Sequence, residues 1–109
     1  GGGHHVGAQA AFRGDPNYNA RSALAIPDAV MKKLGPDFHK VVTAGQRKGY
    51  DALRKNGKAI TWGRLAKVER AALEAAGVSA KDAKEIVKRA VDYLKKAGAD
   101  PTRIPWSPA

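Results

Sequence analysis

The sequence predicts an α+β fold, with a small irregular unit in residues 1–40 buttressed by three C-terminal helices. Three observations carry this. Residues 41–98 show the three- and four-residue apolar spacing of amphipathic helices, punctuated by glycines. Residues 1–40 are rich in Gly, His, Asn and Pro and hold no sustained helical period. The chain has 109 residues, enough for one core and too few for two, and it shows no solenoid-type repeat. It therefore reads as a single domain, 1–109, in which a basic helical region, 41–98, follows the irregular part and a Pro-rich tail, 99–109, closes the chain.

The elements follow in order. HHVGAQAAF suits a short strand followed by a helical turn, GDPNYN a turn-rich loop, and SALAIP a short extended segment ended by Pro27. PDAVMKKL fits a short helix, with Pro27 and Asp28 at its start and Gly35 at its stop. The first long helix is expected over about 43–56, with Thr43 and Gln46 at capping-box spacing, a thin apolar face and a stop at Gly57. The second, about 62–76, places Trp62, Leu65, Val68, Ala72, Leu73 and Ala76 on one face and stops at Gly77. The third, about 80–97, is capped by Ser79 and aligns Ala83, Ile86, Val87, Ala90, Val91 and Leu94 before Gly98. The short connection between the last two predicts an antiparallel hairpin. The core must be lean, because 21 residues are Ala.

Charge narrows the function. Lys and Arg number 20 against 10 Asp and Glu, a net charge of +10. Nine of the cations (Lys40, Arg47, Lys48, Arg54, Lys55, Lys58, Arg64, Lys67, Arg70) fall between Lys40 and Arg70, with only Asp51 and Glu69 opposing them. Such a surface attracts polyanions and releases counterions on contact with phosphates, which predicts salt-sensitive nucleic-acid binding. With no Cys, disulfides, thiolate nucleophiles and Cys-ligated zinc are excluded. No apolar run approaches the length of a membrane span, and the helices carry no aromatic wedge for a membrane surface. The only methionine is Met31, so the expectation is an excised or processed C-terminal module of a larger protein.

The histidines are the candidate chemistry. His4 and His5 are adjacent, and successive side chains of a strand face opposite ways, so the two would serve different tasks. Phosphodiester hydrolysis needs such a division: one group to deprotonate water, another to hold a metal that stabilises the developing charge. His39, placed in the loop before the Thr43-capped helix, is positioned to join the same metal. Read from composition alone, the simpler reading is favoured: an N-terminal remnant or surface pair, with His39 a polar residue at a helix entrance. Tyr18, Tyr50, Trp62 and Trp106 are expected as core or staple residues rather than base-stacking platforms. Ser79 is explained as a cap.

The run GGHHVGAQAAF, the Asn-rich NYNARSALAI and the later lone histidine of DFHKVVTAGQ resemble the His-Me finger (HNH/endonuclease-VII-like) nuclease toxin domains of bacterial polymorphic, Rhs-type toxins, which carry a small residue before a His-His pair. The resemblance spans roughly residues 2–50. It implies a ββα-metal-like catalytic unit in residues 1–40. His5 would be the general base, with Asn19 orienting it and Asn17 as the alternative. His4 and His39 would be metal ligands. One divalent metal ion is implied, Mg or Mn, or Zn or Ni, since no Asp or Glu flanks the pair. Arg13, Lys40, Arg47, Lys48 and Arg54 would grip the nucleic acid. The implied activity is a non-specific endonuclease acting on DNA, with RNA as an alternative substrate, secreted or delivered into a target cell to act in its cytoplasm, and held in check by an acidic cognate immunity protein. Two other classes compete. One is a non-catalytic basic helical module that binds nucleic acid. The other is a toxin of different chemistry, such as an NAD-glycohydrolase or transferase, against which stands the lack of any Glu in residues 1–35.

Overall fold

A computed structural model of the chain describes residues 4–5, 25–26, 35 and 37–105. Among these residues the architecture is helical. Strand β1 (His4–His5) pairs antiparallel with β2 (Ala25–Ile26), His4 opposite Ile26 and His5 opposite Ala25. Three helices follow: α1 (Phe38–Lys55), α2 (Trp62–Ala75) and α3 (Ala80–Lys96). The expected α+β fold with a ββα-metal-like unit is therefore corrected to a three-helix body. A ladder two residues long forms no sheet layer, and among the described residues the core is built mainly between helices. The helix expected at 27–34 and the role of Trp106 lie outside the described residues.

The first long helix begins earlier than its capping signal suggests. Asp37 stands at its N-terminus without a side-chain cap, and Phe38 is already helical. Thr43 and Gln46 are thus interior, not a capping box. Burial of an aromatic explains the shift: Phe38, Val42, Gln46 and Tyr50 recur every four residues and all face inward, so extending the helix by a turn adds Phe38 to the core. Thr61 and Ser79 cap α2 and α3, accepting from the backbone N–H of Arg64 at 3.2 Å and of Asp82 at 3.1 Å.

All three helices end alike. At the end of α2, Gly77 adopts φ of 103°, its N–H donates to the Glu74 carbonyl, and that of Val78 donates to Leu73 at 3.1 Å. This is a Schellman stop, with Val78 packed against the core cluster that holds Leu73. Asn56–Lys58 and Ala97–Ala99 repeat it.

Both neighbouring helix pairs run antiparallel. Gly45 lies against Ala72 while Gly49 lies against Val68, so positions rise along α1 as they fall along α2. At the far end of the hairpin from the 76–79 connection, the Trp62 indole donates to Asp100 at 3.1 Å and Lys95 lies 5.7 Å from the Trp62 ring centre. The main core joins Phe38 and Val42 to Leu65, Ala72 and Leu73 of α2 and to Ala83, Val87, Ala90, Val91 and Leu94 of α3. A smaller cluster joins Tyr50 and Val68 to Leu53, Ile60 and Ile104, so the segment after α3 returns to cover the α1–α2 seam. Ile86, expected in the core, is only half-buried.

Candidate functional site

The cationic stretch is more positive at the surface than its composition suggests. Of the two acids opposing the nine cations between Lys40 and Arg70, Glu69 is fully buried. The other, Asp51, is paired with Arg54 at 2.6 Å. Lys40, Arg47, Lys48, Lys55, Lys58 and Lys67 are exposed, while Arg54, Arg64 and Arg70 are half-buried. Helix α1 and the connection to α2 thus present the predicted basic face. Arg64 does a structural task within it, its guanidinium donating to the Ala59 carbonyl at 2.8 Å and tying down the loop between the helices.

Beneath this face lies a polar cluster that the sequence reading did not identify. Glu69 is 0% exposed and accepts hydrogen bonds from the Gln46 amide at 2.8 Å and the Tyr50 hydroxyl at 2.7 Å. Burial, reinforced by the carboxylate beside it and the hydrogen bond to that carboxylate, holds the Tyr50 phenol well above its usual pKa. The signal was present: Glu69 stands within the apolar stripe of Leu65, Val68, Ala72 and Leu73, where a carboxylate is out of place unless it has donors. Enclosed as it is, the cluster joins α1 to α2.

The structure does not draw the expected catalytic residues into one described site. The backbones of His4 and His5 lie in the short ladder with Ile26 and Ala25. Their side chains, and the whole of Arg13, Asn17 and Asn19, are outside the described residues. His39 is not in a loop: it is the second residue of α1, exposed, on the turn that also carries Lys40. The early start of α1 accounts for this, because burying Phe38 makes the next residue helical. Among the described residues no three His, Asp or Glu side chains gather as a metal-binding group.

The chain contains no Cys and forms no disulfide, and among the described residues no helix is long and apolar enough to cross a membrane. No family model matches this chain, and no curated protein or solved structure gives a match.

Proposed function

We propose that this chain is a metal-dependent endonuclease domain in which the helical body grips the phosphate backbone and the N-terminal histidine pair cleaves it. The observation that carries the reading is the basic face: nine cations between Lys40 and Arg70, with one of the two intervening acids buried and the other held by an arginine. A surface from which one of the two opposing charges has been buried is suited to a polyanion. The His4–His5 pair adds the chemistry. His5 takes the proton from the attacking water, as an imidazole can near neutral pH, with Asn19 or Asn17 orienting it. His4 and His39 hold a divalent ion, Mg, Mn, Zn or Ni, which when bound supplies charge stabilisation at the phosphate.

Plasmid incubated with the purified domain, with and without chelator, tests this directly. Cleavage is expected with metal and is abolished by chelation. Replacing His5 with Ala should lower turnover by about 10²- to 10⁴-fold with metal binding retained, whereas His4→Ala and His39→Ala should weaken metal affinity and respond to excess metal. Inertness towards plasmid and RNA across all four metals overturns the enzyme reading. A second reading, a non-catalytic nucleic-acid-binding module, uses the same basic face, since that face needs none of the histidines. It expects binding without cleavage and no effect of His5→Ala.

The same proposal takes the domain as the tip of a larger secreted toxin, acting in the cytoplasm of a target cell and neutralised by an acidic immunity protein. The strong positive charge supports that pairing.

A further inference from the structure

The outer face of α1 carries its cations in two rows. Lys40, Arg47 and Arg54 follow one another at seven-residue intervals, and Lys48 and Lys55 repeat the interval one residue along. Seven residues are close to two helical turns, so each row runs nearly along the axis, and the longer spans about 21 Å. Both rows lie away from the inward stripe of Phe38, Val42, Gln46 and Tyr50. Ala44, exposed and small, stands between the rows, so nothing bulky holds a partner off. Asp51 also stands between them. It is the only acid of the helix, and its carboxylate is on Arg54.

This chemistry selects a partner. A straight line of cations on a rigid rod matches a stiff double line of phosphates, and an α-helix fits the width of a major groove. Single strands are gripped largely by stacking on exposed aromatics. Both aromatic residues of α1, Phe38 and Tyr50, are buried.

We propose that α1 is the element that lies along duplex nucleic acid, with its two cationic rows on the phosphates, and that Asp51 limits the grip by occupying Arg54. The proposal rests on the phosphate-directed reading above and names the element, the partner and a residue that sets affinity. Asp51 acts twice: its charge repels phosphate, and Arg54 must exchange carboxylate for phosphate before it contributes. Both effects weaken the complex and hasten release, which suits a protein that must leave its product.

Fluorescence anisotropy with a short labelled DNA duplex, in chelator and over a range of KCl, reads affinity and salt slope without cleavage. Replacing Lys40, Arg47 and Lys48 together by Gln should weaken binding about 10- to 100-fold and flatten the log–log salt slope by about 2 to 3. Replacing Lys81, Lys84 and Lys88 by Gln removes the same charge from the exposed surface of α3 and should change affinity by less than about 3-fold. Asp51→Asn should do the reverse of the first triple, tightening binding about 3- to 10-fold and steepening the slope. Circular dichroism checks that each variant keeps its helices. Equal losses from the two triples, or single strands bound as tightly as duplex, overturn the assignment of α1. Asp51→Asn binding no tighter than the parent chain overturns the role of Asp51. A parent chain that binds no nucleic acid at physiological salt overturns the phosphate-directed reading itself, an outcome distinct from the others.

Discussion

A carboxylate shut away from water is tolerated only where donors replace the lost hydration, and Gln46 and Tyr50 supply two to Glu69. Removing the Tyr50 hydroxyl leaves a Glu69 oxygen short of a donor while keeping the ring in place. Tyr50→Phe should therefore cost about 1–3 kcal/mol, read as a lower urea midpoint with an unchanged slope. The sign of the pH effect follows from the raised phenol. Below the ordinary tyrosine pKa of 10.0 both folded and unfolded chains keep the proton, so stability does not vary with pH through this group. Above it the unfolded chain releases a proton that the folded chain retains, and stability falls as pH rises. Alkaline denaturation followed by tyrosinate absorbance should show the Tyr50 phenol ionising only as the fold opens, and Tyr50→Phe should flatten that alkaline decline. A Tyr50 that ionises while the helices remain intact would contradict the enclosed cluster.

At the scale of elements, two glycines four residues apart decide how closely α1 and α2 approach. A Cβ built on Gly49 would lie 2.6 Å from Val68 Cγ1, and one on Gly45 would lie 3.0 Å from the Ala72 Cα. Glycine inside a helix costs about 1 kcal/mol relative to alanine, so both positions sacrifice intrinsic helix stability for contact. Gly49→Ala should be net destabilising, because overpacking of about 1–3 kcal/mol outweighs the propensity gained. Gly63 in α2 is the matched contrast, with nothing within 4 Å of its built Cβ. Gly63→Ala should leave stability unchanged or raise it by up to about 1 kcal/mol. Thermal melts of the two variants should shift in opposite directions, and a stabilised Gly49→Ala would mean that the helices are not in such close contact. The same approach brings Gln46 and Tyr50 of α1 within hydrogen-bond reach of Glu69 on α2, so the glycines and the polar cluster form one device.

At the scale of the whole molecule, charge is the dominant fact. A net +10 on 109 residues sets a field that speeds association with acidic partners and is screened over about 10 Å at ~0.1 M salt. An acidic immunity protein should associate fast at low ionic strength and more slowly as salt rises. Charge reversal at Arg47, Lys48 and Arg54 together should weaken both duplex binding and inhibitor association. Stopped-flow rates insensitive to salt would move the inhibitor away from this face.

What the sequence determined by itself is local. The Thr61 and Ser79 caps, the glycine stops at Gly57, Gly77 and Gly98, and the apolar stripes of α2 and α3 follow from short-range rules of backbone and spacing, and they stand where those rules put them. The density of positive charge was equally legible, since it depends on composition alone. Tertiary structure decided the rest. Thr43 and Gln46 have the spacing of a cap, yet burial of Phe38 against α2 and α3 extends the helix past them, because packing free energy exceeds a capping preference. Gln46, Tyr50 and Glu69 are ordinary residues in sequence and become one cluster only when α1 and α2 meet through Gly45 and Gly49. Asp51 and Glu69 count equally in a charge tally, but Asp51 stays at the surface on Arg54 while Glu69 is enclosed, and only the second sharpens the basic face. Partners 19 and 23 residues apart in the chain leave no periodic trace, so only the packing of one helix on another could bring them together.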